Sequence, residues 1–546
     1  MMLVLGVAMF LFWRFRYPFA LTYQEQLQLF LFDADYFSMR MAEPGGLARY
    51  IAEFLVQFYN GVTIGALILA VLFMLLQRLT WRIMFNGHVN NQWYPLSFVP
   101  AIMLWYAMGD ESVMLAYLVA LILALLAILA RPANRYVRWA LVVVGIPVLY
   151  WLIGPLVVLV AVCWMPLSVI YAVACILVSA HFLPYSLLRL VLGVGYYRVP
   201  ETLPYLLMVL PLLMAALYYG ARYLPKLKPW MVSVEALVVA ILLLVPQEYG
   251  FKPKKYELIE YDYLVRIMDW NAIIAKAEKQ IPDLPMSVSA TNLALGMTNQ
   301  LGDRAFDFYQ RSSEGLMPKF ERNFATTQLT GEIYFHLGLV NTAQRLAFEA
   351  MESIPNYNKS ARVVKRLAET NLINGQYQVA RKYLKLLEKT IFYRPWAQRT
   401  LAMLGDEQAI NSHPLYGTLR RYQLKEDILF SERELDKICG QLFMHCQQNQ
   451  MAAQYLLMMP LLDRDIPRFM NYTQYVQSKI QYNPRAVQEG IAFAFMQQRQ
   501  QPPQGLVSPM ILQQMNEFSR IYSSDKNSPE LDRFRNMLWY YLMIGK

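Results

Sequence analysis

Charged residues are scarce in this sequence, and the scarcity is confined to one half of the chain. Only 16% of the 546 residues are Asp, Glu, Lys or Arg, while 56% are hydrophobic. Soluble domains carry about 25% charged residues. Residues 1–250 hold 14 Lys and Arg and 10 Asp and Glu, against 36 and 29 in residues 251–546. The composition excludes a single soluble globule and a disordered chain, and it predicts a membrane domain followed by a water-soluble domain.

Cysteines, dense basic runs and common catalytic motifs are also few or missing. The four cysteines have neither the number nor the spacing of a disulfide framework or a zinc site. The net charge of +11 is spread along the chain without the basic stripe of nucleic-acid-binding proteins, so we expect no nucleic acid partner. The sequence contains no Walker loop, no GxGxxG after a strand, no HExxH and no GxSxG. Catalytic residues therefore have to be sought in less specific patterns.

Apolar runs in residues 1–250 predict about nine membrane crossings. Residues 1–22 form an uncleaved first span, because Arg14 and Arg16 follow the apolar run instead of preceding it as in a signal peptide. Several later runs contain prolines and are shorter than the ~20 residues of a straight crossing, so they have to be shielded by protein or line a wet cavity. These runs lie near residues 58–76, 95–108, 112–130, 137–153, 155–180, 182–197, 202–219 and 229–246.

Basic residues between the apolar runs indicate which loops face the cytoplasm. If three basic clusters are cytoplasmic, residues 23–57 form the first outer loop and the domain after residue 250 is extracytoplasmic. We therefore expect a multi-pass protein of the bacterial inner membrane with a periplasmic C-terminal domain. The opposite placement follows if residues 182–197 only lie at the membrane interface, since the number of crossings is then even. The clusters are Arg78 with Arg82, Arg131 with Arg135 and Arg138, and Arg222 with Lys226 and Lys228.

Small residues recur in residues 251–410 at the spacing of tetratricopeptide repeats (TPRs). Residues 331–355, GEIYFHLGLVNTAQRLAFEAMESIP, end on Pro355, and a corresponding pattern covers residues 368–384. We predict a TPR-like α-solenoid over residues 251–410, followed by degenerate repeats and a C-terminal cap over residues 411–546. A solenoid presents a concave face that can bind a protein segment, although an uncommitted solvated face is the alternative. The residues predicted for this groove are Glu332, Phe335, His336, Glu369 and Ile373.

The first outer loop carries the acidic residues best placed for chemistry. Glu25, Asp33 and Asp35 lie close to the predicted membrane surface. After a Pro-Gly-Gly break, residues 47–58 place apolar side chains at helical spacing and Glu53 with other polar residues on the opposite face. This pattern predicts a helix lying on the bilayer with a solvated polar face. An ordinary interfacial loop with solvated carboxylates is the alternative.

The layout resembles the GT-C superfamily of polytopic glycosyltransferases, which use lipid-phosphate-linked sugars. The shared features are one span, a long outer loop with an Asp pair, an interfacial helix, many short helices and a C-terminal soluble domain. The segments QEQLQLF, PGGLARY, EFLVQFY and GEIYFHLG are also similar to an uncharacterised Bacteroidota family that joins a membrane domain to TPRs. That second resemblance implies a cell-envelope location and no particular activity.

The GT-C resemblance implies roles for individual residues. Asp35 would be the general base or a metal ligand, assisted by Asp33 or Glu25. Asp33 and Asp35 would hold a divalent cation, Mg²⁺ or Mn²⁺. Arg189 and Arg198 would bind the lipid phosphate. The reaction implied is transfer of a sugar from a polyprenyl-phosphate-linked donor to an extracytoplasmic acceptor.

A function without catalysis explains the same layout. A solenoid anchored by membrane helices would serve as a scaffold for envelope assembly, secretion or polysaccharide export, with a protein partner on the TPR face. Asp33 and Asp35 would then have no catalytic role. A transporter is not favoured, because residues 1–250 lack the internal inverted symmetry typical of many transporters.

Overall fold

The computed structural model is helical throughout the residues it describes, which are 1–85, 91–199, 202–319, 324–354, 358–424 and 434–545. These ranges contain α-helices, short 3-10 helices and one π-helical turn, and they contain no β-strand. The predicted all-α class is therefore confirmed. Pro355, predicted to close a repeat, lies outside the described residues.

The chain divides into two compact units. Unit 1 comprises residues 1–256 together with two short segments from the second half of the chain, residues 354–362 and 385–398. Unit 2 comprises residues 257–353, 363–384 and 399–546. The boundary predicted near residue 410 stays a prediction.

Fourteen α-helices of unit 1 lie within the described part of residues 1–256. Gly45 starts one of them, α4, from a left-handed conformation (φ 80°) that favours glycine, and its N–H donates to the carbonyl oxygens of Tyr150 and Trp151. The helices are α1 (Met2–Leu11), α2 (Pro18–Gln26), α3 (Ala34–Met41), α4 (Gly46–Val56), α5 (Val62–Phe85), α6 (Val99–Met108), α7 (Leu115–Leu129), α8 (Arg135–Ile153), α9 (Val157–Trp164), α10 (Ser168–Phe182), α11 (Leu187–Leu192), α12 (Tyr205–Gly220), α13 (Pro229–Leu242) and α14 (Val245–Tyr249).

Four helical segments in the described residues are long and apolar enough to cross a membrane. A fifth is possible if Met2–Arg16 and Pro18–Gln26, which meet at a 78° bend, form one span. Two of the four segments, starting at Tyr205 and Trp230, bury little of their surface and expose apolar side chains suited to lipid. The finding is consistent with a membrane protein. The four segments are Val62–Phe85, Arg135–Trp164, Tyr205–Tyr223 and Trp230–Tyr249.

The predicted number of nine crossings is not confirmed, and helix length is the reason. Pro95–Met108, Leu115–Leu129 and Ser168–Phe182 are apolar helices of only 10–17 residues, short of the ~20 residues of a straight crossing. Residues 182–197 contain only the six-residue helix α11.

The remaining helices begin at residue 253. Four of them, α15, α21, α22 and α23, contain unit boundaries. The helices are α15 (Pro253–Arg266), α16 (Trp270–Lys279), α17 (Pro285–Met297), α18 (Leu301–Arg304), α19 (Phe324–Leu337), α20 (Val340–Glu352), α21 (Ala361–Ile373), α22 (Tyr377–Glu388), α23 (Arg394–Ala402), α24 (Glu407–Ser412), α25 (Tyr416–Tyr422), α26 (Leu435–His445), α27 (Gln450–Leu462), α28 (Ile466–Gln477), α29 (Arg485–Gln497), α30 (Pro509–Ser524) and α31 (Leu538–Met543).

Helix pairs occupy the region of the predicted repeats. α19 and α20 are joined at Gly338 (φ 97°), and α21 and α22 are joined at Gly375 (φ 75°). Both glycines have left-handed backbone conformations. Such a conformation ends a helix, and glycine adopts it without the steric penalty of a Cβ atom. The side chains of α27 from Met451 to Leu462 are all buried. The helix pairs are established, whereas a TPR solenoid is not confirmed.

Candidate functional site

Glu25 and Asp33 both contact the segment 385–398 of unit 1. The Glu25 carboxylate is 4% exposed and accepts hydrogen bonds from the Tyr393 hydroxyl at 3.0 and 3.1 Å. Asp33 precedes α3 and pairs with the Lys389 Nζ at 2.7 Å. Two of the three predicted catalytic carboxylates are therefore engaged in contacts within unit 1.

The main chain of residues 28–33 is hydrogen-bonded to both short segments of unit 1, residues 354–362 and 385–398. The Leu29 N–H donates to the Lys359 carbonyl oxygen, and the Phe32 N–H donates to the Lys389 carbonyl oxygen, both at 2.9 Å. Residues 28–33 lie between α2 and α3 and form no helix. The two bonds therefore satisfy main-chain N–H groups that have no partner within a helix. These main-chain groups are thus hydrogen-bonded to other parts of unit 1 and not to solvent.

Asp35 has a different environment from the other two acidic residues. It is exposed, lies in the first turn of α3 and forms no ion pair with a described residue. A helix N-terminus favours a negative charge at this position. Within the described ranges, no group of three or more His, Cys, Asp or Glu side chains could hold a metal ion. Asp33 pairs with Lys389, and the divalent cation that the GT-C resemblance implies at Asp33 and Asp35 stays a prediction.

The polar face of α4 is buried, so the predicted solvated face is wrong. The Glu53 carboxylate, on a residue only 1% exposed, pairs with Arg40 at 2.7 Å and with Arg49 at 3.0 Å. The Tyr36 hydroxyl donates to the same carboxylate. Burial by itself raises the pKa of Glu53, but the charges of Arg49 and Arg40 and the hydrogen bonds from Tyr36 and Arg40 outweigh it, so the pKa lies below its usual value.

A second glutamate and one asparagine complete this buried network. Arg49 pairs with Glu43, whose other carboxylate oxygen accepts from the Tyr185 hydroxyl at 2.8 Å. The Asn358 Oδ1 accepts from Arg40 at 3.0 Å and from Arg49 at 2.7 Å. Two arginines are thus balanced by two glutamates, and Asn358 comes from the segment 354–362 of unit 1. A charge-balanced, hydrogen-bonded network is the form in which buried charges are tolerated.

The two predicted phosphate-binding arginines have different neighbours. Arg189, on α11, donates to the Val194 carbonyl oxygen at 3.5 Å and lies near Tyr185. Burial lowers the pKa of Arg189. The charge of Arg49 adds to this shift, and Tyr185 opposes it. Burial also lowers the pKa of Arg198, whereas Tyr23 and the carboxylates of Glu111 and Asp110 raise it. Their joint binding of one phosphate stays a prediction.

A cavity of about 320 Å³ in unit 1 brings together residues that sequence reasoning did not assign to a site. Asp110 and Glu111, between α6 and α7, lie in its wall with Lys255, which pairs with both carboxylates. The Tyr197 hydroxyl donates to Asp110 at 2.9 Å. In the sequence, only the two adjacent carboxylates in the charge-poor half of the chain could have indicated this site. Nothing near them indicates Lys255, which lies 144 residues after Glu111.

The five residues predicted for the concave groove are buried in unit 2, which corrects their expected exposure. None is more than 5% exposed. Arg366 explains the burial of charge, because it pairs with Glu332 at 2.6 Å and Glu369 at 3.0 Å and lies 3.5 Å from the centre of the Phe335 ring. The five residues are Glu332, Phe335, His336, Glu369 and Ile373.

His336 is held neutral in this interior. Its ring packs edge-on against Trp270, and its Nε2 lies 3.8 Å from the Glu332 carboxylate. Burial lowers the pKa of His336 to about 4; Glu332 opposes this shift and Arg366 adds to it. The histidine is therefore a packing residue at neutral pH.

Comparison with known proteins identifies the family of this chain but assigns no activity to it. No curated protein sequence and no solved structure matches the chain. A family model described as "Family of unknown function (DUF6057)" matches residues 1–545. Since the match extends over nearly the whole chain, the candidate membrane spans and the C-terminal helices belong to one family unit. The chain is a member of this family of unknown function, DUF6057.

Proposed function

We propose that the protein is a non-enzymatic, membrane-anchored scaffold of the bacterial cell envelope. In this proposal it is a multi-pass protein of the inner membrane, and its TPR-like helices lie in the periplasm and bind a protein partner in envelope assembly, secretion or polysaccharide export. The observation that supports it is the use of Glu25 and Asp33 as partners of Tyr393 and Lys389 within unit 1.

These contacts favour a structural role because each satisfies a charge that catalysis would need. A buried carboxylate without a partner is costly, and the Tyr393 hydroxyl offsets part of that cost for Glu25. Asp33 has its charge compensated by Lys389. Residues 354–362 and 385–398 of the C-terminal half belong to unit 1, and this supports a scaffold whose C-terminal half is tied to the anchored unit.

A GT-C-like glycosyltransferase is the second candidate, favoured by the exposure of Asp35. In this alternative the Asp35 carboxylate accepts the proton of an acceptor hydroxyl as that oxygen bonds to the anomeric carbon of the donor sugar. The bond from the anomeric carbon to the phosphate oxygen breaks, and the polyprenyl phosphate leaves with its electron pair. Arg189 or Arg198 would bind the leaving phosphate. The acceptor would be extracytoplasmic.

Complementation of a gene deletion separates the two candidates. The deletion strain receives the natural protein, the Asp35→Asn variant or the Asp33→Asn variant, and immunoblots of membranes check that all three accumulate equally. The sugar composition of envelope material and the growth of the strain are then measured. The scaffold proposal expects both variants to restore both properties. Loss of an envelope sugar in the Asp35→Asn strain alone, at normal protein level, would overturn the scaffold and establish the transferase.

A further inference from the structure

The cavity at Asp110 and Glu111 lies where candidate membrane spans end. Its wall includes residues 203–207, at which the span Tyr205–Tyr223 begins, and residues 249–252, at which the span Trp230–Tyr249 finishes. Two consecutive spans that respectively start and finish at one cavity place it at one membrane face. The cavity is therefore positioned at the depth of lipid headgroups.

The charged part of the cavity contains groups of both signs. Glu111 is buried and pairs with Lys255, while Asp110 lies 3.9 Å from the same ammonium group. The side chains of Asp110 and Lys255 are 43% and 48% exposed, so both remain open to a ligand. Lys252 adds a second ammonium group to the wall. A ligand that fits both signs is a zwitterion whose cation faces Asp110 and whose anion faces the two lysines.

The other part of the wall is apolar and exposed. Leu203, Tyr205 and Leu206 line the cavity at the start of α12 and are 37%, 69% and 38% exposed. Exposed apolar side chains beside paired charges are what an amphipathic molecule contacts, with its polar end in the cavity and its chains along the helix. A volume of about 320 Å³ lies at the lower end of the range for small-ligand sites.

We propose that this cavity binds the headgroup of an aminophospholipid, with the ammonium group on Asp110 and the phosphate on Lys255 and Lys252. Tyr197 orients the Asp110 carboxylate through its hydroxyl. The site does not depend on the scaffold proposal, since either function of the protein is compatible with a bound lipid. A free phosphoamine could supply the same two charged groups without acyl chains, and the experiment distinguishes this source.

The test is native mass spectrometry of the full chain released from nanodiscs that contain equal amounts of phosphatidylethanolamine and phosphatidylglycerol. We expect the protein to retain phosphatidylethanolamine about tenfold over phosphatidylglycerol, the ratio that one additional charge-assisted hydrogen bond provides. Asp110→Asn is expected to abolish this preference, because only phosphatidylethanolamine carries the ammonium group. Lys255→Gln is expected to lower the retention of both lipids, which share the phosphate, and Lys255→Arg to keep it. Lys226→Gln, which removes an exposed lysine between the same two spans, is the matched control.

Three results would overturn the proposal. The first is equal retention of the two lipids by the natural protein. The second is an unchanged preference in Asp110→Asn together with unchanged retention of both lipids in Lys255→Gln, with thermal unfolding showing that each variant is folded. The third is displacement of the bound lipid by millimolar glycerophosphoethanolamine, which would identify a free phosphoamine as the ligand; inorganic phosphate at the same concentration is the control for ionic strength.

Discussion

At the scale of single residues, the buried carboxylate of Glu53 is held by Arg40 and Arg49, and both arginines also bind Asn358. Glu53 stands out as a polar residue on the amphipathic helix α4, but its burial depends on Arg40, on Tyr36 and on a network that reaches Asn358. Asn358 is more than 300 residues away in the chain, so no local pattern could predict the contact. The same limit applies to Glu25 and Asp33: nothing near them in sequence indicates Tyr393 or Lys389, and their catalytic role stays a prediction.

Replacement of Glu53 by glutamine tests the α4 network. The change keeps the shape of the side chain, removes the only carboxylate that pairs with Arg40 in the network and leaves Arg49 with Glu43 alone. We expect the free energy of unfolding to fall by about 3–5 kcal/mol, measured by denaturant or thermal unfolding of the full chain in detergent. Asp35→Asn is the control and should change it by less than about 1 kcal/mol. Equal stability of the two variants would show that the network contributes little.

The buried His336 predicts a pH dependence of stability in unit 2. Its pKa is about 4 in the folded protein and about 6.5 in the unfolded chain, so the unfolded state binds the proton first. The contribution is fully present above pH 6.5 and is lost as the pH falls towards 4, by up to about 3 kcal/mol. We expect His336→Phe to be less sensitive to pH than the natural protein in this window, measured by unfolding at several pH values. Parallel curves for the two proteins would contradict the assignment.

At the scale of elements, hydropathy finds the apolar runs but not how each run is divided. Residues 137–153 and the start of the run 155–180 were predicted as separate spans, whereas Arg135–Trp164 is one candidate span that passes Gly154 (φ 65°). The run at 182–197 yields only the short helix α11, because Pro184 follows the end of α10 and Gly193, left-handed at φ 90°, follows the end of α11. Helix length, which proline and glycine set locally, decides whether an apolar run can cross.

Alanine substitutions at two glycines, Gly109 and Gly220, test the packing of α6 against the end of α14. A Cβ atom added at Gly109 would lie 1.4 Å from the Gly250 carbonyl oxygen, whereas one at Gly220 meets nothing within 4 Å. Gly109→Ala should therefore displace residues 249–252, lower the unfolding temperature of the detergent-solubilised chain and weaken lipid retention by the cavity. Gly220→Ala, the matched control at the end of a helix, should leave both unchanged or slightly stabilise the chain. An unfolding temperature and lipid retention in Gly109→Ala equal to those of the control would disprove the close packing.

At the scale of the whole molecule, apolar runs and repeats predicted the helical class, which is confirmed, and composition predicted a membrane half, with which the four or five candidate spans are consistent. The assignment of residues 354–362 and 385–398 to unit 1 was not predictable, because both segments have the composition of the repeats that surround them. Repeat spacing indicated the turns at Gly338 and Gly375. Burial of the predicted groove depends on Arg366, which lies on α21 and pairs with Glu369 on the same helix and with Glu332 on α19. Periodicity therefore predicted helix pairs but not which of their faces is open.

Membrane sidedness is predicted by the basic residues around Lys226. We expect a cysteine at Lys226 to react with an impermeant maleimide only after lysis, and a cysteine at the exposed Lys279 to react in permeabilised cells with an intact inner membrane. The background replaces the natural cysteines at 163, 175, 439 and 446 by serine. If the cysteine that replaces Lys279 reacts with the maleimide only after lysis, the C-terminal helices lie in the cytoplasm. That result would contradict the periplasmic scaffold.

The structural role of the loop carboxylates is tested most directly by a double-mutant cycle on Glu25 and Tyr393. Unfolding free energies are measured for the full chain in detergent with Glu25→Gln, with Tyr393→Phe and with both changes. Because the Tyr393 hydroxyl donates to both oxygens of a buried carboxylate, we predict a coupling energy of about 1.5–3 kcal/mol. A coupling energy near zero, together with loss of an envelope sugar in cells that carry Glu25→Gln at normal protein level, would contradict the scaffold and make Glu25 a residue of a transferase.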